Sequence, residues 1–418
     1  MRSSLLAFAT DLLDEGLDVV ADNVQQRAGA SGITLAAAYH DARDVFPHNP
    51  RRVVYFQEPG AVFFQPTPRL FNGLKLRPVV SQLIGEGDLL ADLVNTTRPR
   101  GLDTNAWVVL LHVDRGRAID EFAQRNAFGD PYLTQLCPSN PDVRAYARAL
   151  IADVASHGVD SILVESFHFF PFAHGYHHER AFVEISPLTA FLLSLCFCPS
   201  CAAAAVDSGV ATPALQAAVQ AKIRAGLASP ADSVEVEDNE AVRALFGGQL
   251  GVLLDVRTSV VTSLVAELVE AAHEANPASK VVPIDPSGAI KGYAGGRPTG
   301  APAASISWLL GIDLEQLAHV TGAIEVMAYA ANPERVLVDL ETYLEALPDS
   351  TEIGVILRPL NPDCDGPANL RSKVEIVSSL GFDRVDFYHY GLAPLDALDW
   401  IKSALPAATL DVSDSKER

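Results

Sequence analysis

Apolar positions along this chain gather into short continuous runs, each closing on polar or aromatic residues and each followed by a stretch of helical periodicity. The runs are LLAFA (5–9), ITLAAAYH (33–40), AWVVLLHVD (106–114), DSILVES (160–166), KVVPID (280–285), AIEVMAYA (323–330), EIGVILRP (352–359) and RVDFYHY (384–390). Continuous apolar character, without alternation, marks strands covered on both faces, as parallel strands beneath helices must be. The segments NPDVRAYARALIADVASHG (140–158) and NPERVLVDLETYLEALPDS (332–350) both open on an Asn-Pro pair, a cap with proline in the first turn. Eight strand-then-helix units predict a (β/α)8 TIM barrel.

A chain of 418 residues is longer than such a barrel needs. Two insertions account for the excess. After the second strand, within residues 41–85, RRVVYFQEPGAVFFQP (51–66) reads as two β-rich runs about a Glu-Pro-Gly turn, a hairpin over the barrel mouth. After the fourth strand, residues 167–238 hold the aromatic stretch FHFFPFAHGYHHE, a cysteine cluster and an Ala-rich helical segment. The expected organisation is a single barrel domain over 1–405 and a flexible tail over 406–418.

Composition narrows the partners. Hydrophobic residues make up 49% and charged residues 20%, a globular balance. The net charge of -21 repels phosphate backbones and anionic membrane surfaces, so neither nucleic acid nor membrane is an expected partner. No G-x-x-x-x-G-K-[ST], strand-following G-x-G-x-x-G or G-x-S-x-G motif occurs, so no organic cofactor is expected. Asp11, Asp14 and Glu15 interrupt the apolar N-terminus, and the expected location is cytoplasmic. Homo-oligomerisation is left open.

Of five cysteines, three lie in CFCPSC (196–201). C-x-C-x-x-C offers three thiolates, and tetrahedral zinc takes four ligands. Cys137, just before the third helix, is the natural fourth, which gives a structural zinc on Cys137, Cys196, Cys198 and Cys201. The alternative is that these are small buried apolar side chains. The order CPSNPDVRAYARAL, then a strand ending in Glu165, then CFCPSCAAAA resembles glycoside hydrolase family 42, the β-galactosidase barrels, over roughly residues 135 to 205. That resemblance implies the same zinc set, and it places Glu165 where the family's acid/base stands. Two departures separate the chain from the family. Val164 replaces the Asn before the acid/base, and the seventh run ends near Arg358 where the family has its nucleophilic Glu.

Barrel chemistry sits at the C-terminal ends of the strands. Those ends carry Asp11, His40, His112 with Asp114, Glu165 with His168, Asp285, Tyr329, Arg358 with Asn361, and Tyr388, His389 and Tyr390. Glu165, following three apolar residues, suits a general acid whose pKa burial has raised. Asp285 is the expected second carboxylate, ahead of Asp11 and Asp114. The remaining polar and aromatic side chains, Asp11, His40, His112, His168, Tyr329, Arg358, Asn361, Tyr388 and His389, suit a polyhydroxylated substrate. Tyr329 in VMAYA resembles the Met-x-Tyr of chitinase-like barrels.

The leading expectation is therefore a glycoside hydrolase-like enzyme acting on a small glycoside or oligosaccharide. Two alternatives stand beside it: a carbohydrate-binding or degenerate barrel, and a metal-dependent hydrolase or isomerase using His40, His112 and Asp285. His168, His174, His177 and His178 form a weaker candidate metal set.

Overall fold

The structure, a computed structural model, describes residues 1–173, 180–230, 234–294 and 297–406. Eight parallel strands form its centre: β1 (Arg2–Ala7), β2 (Gly32–Tyr39), β3 (Asp103–Val109), β4 (Ser161–Glu165), β5 (Lys280–Asp285), β6 (Ala323–Met327), β7 (Glu352–Leu357) and β8 (Arg384–Phe387). Each pairs with its sequence neighbours, and β1 pairs with both β8 (Leu5 beside Phe387) and β2 (Leu5 beside Ile33), so the sheet closes on itself. The (β/α)8 barrel expected from the apolar runs is the observed fold.

The outer layer includes α1 (Ala9–Glu15), α2 (Leu89–Thr97), α3 (Pro141–Ser156), α4 (Gln249–Ala275), α5 (Leu314–Thr321), α6 (Pro333–Ala346), α7 (Pro367–Ser379) and α8 (Ala397–Ala404). Both Asn-Pro starts behave as their chemistry requires. The Asn140 side chain accepts from the N–H groups of Asp142 and Val143, and Asn332 accepts from Glu334 N–H, while the following proline has no N–H to leave unpaired. Strands β2 and β4 are buried along their lengths apart from Glu165, which keeps partial access to solvent.

The first insertion differs from the expected hairpin in its pairing. Val54–Gln57 pairs antiparallel with Ala42–Val45, while Ala61–Val62 leaves that ribbon and pairs antiparallel with the end of β2, Tyr39 beside Ala61. Burial explains the division: Ala61 and Val62 are fully enclosed, whereas Val54 and Phe56 are exposed. Gly60 makes the turn between them at φ +58, pressed so closely on Val113 that a Cβ would lie 2.7 Å from its carbonyl oxygen.

The second insertion contributes helices Pro187–Ser194, Pro199–Asp207 and Thr212–Ala228, and with Asn239–Ala244 just beyond it they gather Leu188, Leu192, Val219 and Ile223 with Leu250 and Leu253 of α4 into a satellite apolar cluster. Between β3 and α3 a further hairpin, Ala123–Arg125 with Pro131–Leu136, delivers Cys137 to the edge of this region. No single helix among the described residues is long and apolar enough to cross a membrane. The predicted C-terminal tail beyond residue 406 lies outside the described residues.

Candidate active site and thiolate cluster

Aromatic rings from several strand ends meet, which they can do only on the inner side of the barrel. Phe8 after β1 and Tyr39 of β2 lie 4.9 Å apart by centroid, Tyr39 and Trp107 of β3 also 4.9 Å, and Trp107 and Tyr388 after β8 5.9 Å. Glu165 ends β4 beside this wall, one strand from Trp107, whose indole Nε1 donates to its Oε2 at 2.8 Å. Burial pushes the Glu165 carboxyl up to about 7, against the Trp107 hydrogen bond and the Arg358 charge, which both pull it down. A carboxyl balanced at that value holds or releases a proton near neutrality, which is what general acid/base work requires.

Arg358, after β7, faces the same space. Its guanidinium lies 3.7 Å from the Tyr329 ring centroid and 5.1 Å from that of Tyr388, and it pairs with Asp363 at 3.3 Å. Burial holds Tyr329 well above the usual phenol range; the Arg358 charge opposes that rise, and those of Tyr388 and then Glu165 add to it. The structure thus brings together Glu165, Tyr329, Arg358 and Tyr388 of the predicted site residues.

Sequence reasoning did not single out Trp107 or Tyr39. The signal was present in both: each is an aromatic residue within a predicted strand, Tyr39 directly before His40. Asp44, on the insertion ribbon, was also missed. Burial raises its pKa, and its negative charge reaches both Tyr39 and Tyr388.

Asp285 has a different setting from the one expected of a second catalytic carboxylate. One oxygen accepts from Ser287 N–H at 3.1 Å and Ser287 Oγ at 2.7 Å, the other from Ser307 Oγ at 2.6 Å and Tyr343 Oη at 2.7 Å. Tyr343 belongs to α6, so the carboxylate points into the helical layer and ties β5 to it. The alternation of strand side chains is the reason: Ile284 takes one face and Asp285 the other.

The other predicted residues divide between two places. Asp11 sits in the first turn of α1, wholly buried, its Oδ2 accepting from Phe8 N–H at 2.9 Å. Burial carries its pKa up to about 8. His389 is buried beside it at 3.8 Å and is held neutral by desolvation, its ring 3.9 Å from Phe8. His40 and His112 lie against each other with rings 4.4 Å apart, and His112 Nε2 is 3.0 Å from Asp114 Oδ1. Thus the carboxylate that joins the two histidines is Asp114, where the sequence reading had placed Asp285. His168 is buried, its Nδ1 3.0 Å from the Phe169 carbonyl. Asn361 is exposed. His174, His177 and His178 lie outside the described residues.

The four cysteines converge. Cys137 Sγ lies 3.8 Å from Cys196, 3.5 Å from Cys201 and 3.5 Å from Cys198, and all four are buried. A tetrahedron with metal–sulfur bonds of about 2.3 Å has edges of about 3.8 Å, so these separations fit a four-thiolate cage. The C-x-x-C half is set by helix Pro199–Asp207: Cys198 caps it, accepting from Cys201 N–H at 3.5 Å. Hydrogen bonds from its three neighbours pull Cys198 far below the usual thiol range, while burial pushes Cys137 up. Buried thiols this close cannot all ionise without a cation among them. The buried Arg257 guanidinium is near enough for the cysteines to hold its charge up against the desolvation that takes its pKa down to about 10. The set can therefore hold one metal ion.

No family model matches this chain, and no curated protein matches it. Solved structures do resemble it. The catalytic domain of β-amylase from Paenibacillus polymyxa superposes with a TM-score of 0.53 at 11% identity, covering 97% of this chain and 99% of that one. β-Galactosidase from the psychrophilic Marinomonas ef1 gives 0.56 at 10% identity, over 97% of this chain and 59% of that one. β-Galactosidase from Bacillus circulans sp. alkalophilus gives 0.51 at 11% identity, over 93% and 50% respectively. These neighbours are glycoside hydrolase barrels, and at such identities the likeness is one of fold.

Proposed function

We propose that this protein is a glycosidase-like enzyme that cleaves a small glycoside or oligosaccharide, with Glu165 as general acid/base. The observation that carries the reading is the setting of Glu165: its carboxyl ends β4 and is oriented by the Trp107 indole, and burial pushes it up to about 7. In its protonated form it donates to the departing glycosidic oxygen as the bond to the anomeric carbon breaks. The resulting carboxylate then takes a proton from the water that adds to that carbon. Tyr39, Trp107, Tyr329 and Tyr388 supply the ring faces and hydroxyls on which a sugar packs, and Arg358 supplies donors for its oxygens. The fold shared with β-amylase and β-galactosidases supports carbohydrate as the substrate class.

In the same reading the four cysteines hold a structural zinc. The ion would tether the Cys137 hairpin to the helices that follow β4, where the main core meets their satellite apolar cluster.

One observation favours a second reading, a carbohydrate-binding barrel without turnover. Hydrolysis of this kind usually pairs two carboxyl groups across the scissile bond. Here β7 closes on Arg358, and Asp285 is committed to Ser287, Ser307 and Tyr343. A panel of aryl glycosides separates the two readings. Release of the aryl group by wild type, lost in Glu165→Gln, supports the enzyme. Saturable sugar binding with no release supports the binding protein. If release occurs, Asp44→Asn is the next variant.

A further inference from the structure

We infer that His40, His112 and Asp114 form a second metal site, distinct from the thiolate cluster, that takes a borderline divalent cation such as zinc at the mouth of the barrel. Each residue offers one ligand atom, and the three atoms lie within 4.8 Å of one another. Two imidazoles and a carboxylate are a donor set that suits zinc and its first-row neighbours, in contrast to the all-sulfur cage.

Three features of the local geometry match what such a site demands. First, His112 Nε2 and Asp114 Oδ1 are hydrogen-bonded at 3.0 Å, so an ion taking the place of the shared proton needs them to part only to about 3.4 Å, the edge of a tetrahedron with bonds of about 2.1 Å. Second, the His40 Nδ1 is 2.6 Å from the Asp41 carbonyl oxygen. A proton on Nδ1 donates to that carbonyl and leaves a lone pair on Nε2 for an ion, while Nδ1 is the nitrogen that lies 4.0 Å from Asp114 Oδ2. Third, Asp41 N–H donates to Asp114 Oδ2 at 3.0 Å, which engages one carboxylate oxygen and turns the other toward His112. Asp114 reaches this position at φ +47, a left-handed conformation that costs a non-glycine residue about 1 kcal/mol or more.

The scaffold is rigid where it matters. His40 directly follows β2, and His112 is held by a bridge to Gln135 of the hairpin after β3. The rings of His40 and His112 stack at 4.4 Å and 12°, so one of them must turn about its side-chain bonds for both in-plane lone pairs to meet at one ion. His40 stacks at 4.3 Å on Tyr39, which packs on Trp107, the hydrogen-bond partner of Glu165. An ion here would sit on the rim of the sugar-binding face, with His40, His112 and Asp114 supplying three ligands among the described residues.

The inference does not depend on Glu165 being catalytic, and its test reads metal. Wild type and the variants His40→Ala/His112→Ala and Asp114→Asn are titrated with zinc, and bound metal is counted after gel filtration. Melting curves confirm that each variant is folded. The expected result is that the folded variants bind about one zinc fewer per chain than wild type, the cysteine set being untouched. Cobalt(II) substitution provides the second measurement: the thiolate-to-metal absorption of the cysteine cage persists in the variants while the additional visible bands of a nitrogen/oxygen site disappear. Equal zinc stoichiometry in wild type and both variants, or identical cobalt spectra, would overturn the assignment. If the double variant does not fold, Asp114→Asn decides the matter alone.

Discussion

Trp107 Nε1 donates to Glu165 Oε2 at 2.8 Å, joining the inner faces of β3 and β4 at the barrel mouth. The bond stabilises the ionised carboxylate, so it counters the upward push of burial. Trp107→Phe removes the donor and keeps a ring. The Glu165 pKa should then rise by about one unit, in line with the strength of a hydrogen bond to a charged group. A pH–rate profile, or carboxyl infrared titration of an inactive complex, would show the alkaline limb moving upward. A limb that stays in place or falls would show that the indole does not set this proton.

Burial of Glu165 also links stability to pH. Its pKa in the folded chain, about 7, lies above the ordinary value of 4.5, so the folded state binds the proton more tightly than the unfolded chain. Its contribution is fully present below the ordinary value and is lost as pH rises toward about 7. Glu165→Gln, which cannot ionise, should therefore melt at a higher temperature than wild type at pH 8, by an amount corresponding to about 1 to 3 kcal/mol after allowance for the side chain's partial exposure. The difference should vanish near pH 4. A constant offset at all pH values would contradict the shift.

Asp285 makes the opposite prediction. Its four donors, from Ser287, Ser307 and Tyr343, all point at a carboxylate that ties β5 to α6. Asp285→Asn brings an NH2 group against hydroxyl and amide donors and should destabilise the fold by about 2 kcal/mol. Turnover per folded molecule should be unchanged, measured at a temperature where the variant is fully native. A selective loss of turnover with unchanged melting would return Asp285 to the catalytic machinery.

The barrel itself was legible because its eight strands are buried on both faces, a pattern that one-dimensional hydropathy records directly. Glu165 was legible for the same reason, as the first ionisable group after an apolar run. Pairing of the first insertion was not. The runs on either side of Glu58-Pro59-Gly60 look alike in sequence, and which of them joins the barrel depends on the free edge at the end of β2. Asp285 was misplaced because a carboxylate at a strand end has two faces to choose from, and only the position of Tyr343, distant in sequence, selects the outer one. The convergence of His40 and His112 with Asp114 turns on the left-handed backbone at Asp114, a conformation that Asp takes more readily than most residues but that its identity alone does not announce.

For the cysteine cluster, the separations of 3.5 to 3.8 Å lead to an expectation about metal and folding together. Cys201→Ser should release zinc and lower the melting temperature, because one ligand of four is lost and the remaining buried thiols lose the cation that neutralises them. Zinc content by mass spectrometry and a thermal melt are sufficient. A zinc content and a melting temperature both equal to those of wild type would leave the cluster as small apolar packing.

The most direct test of the central claim is the dependence of Glu165→Gln on the leaving group. A general acid matters most when the departing oxygen is a poor leaving group and least when it leaves as a stabilised phenolate. On a sugar that wild type cleaves, kcat/KM of the variant should fall by at least about a hundredfold for an alkyl or unactivated aryl glycoside, and far less for the dinitrophenyl glycoside. An equal fall on both substrates, or no fall on either, would show that Glu165 does not deliver the proton.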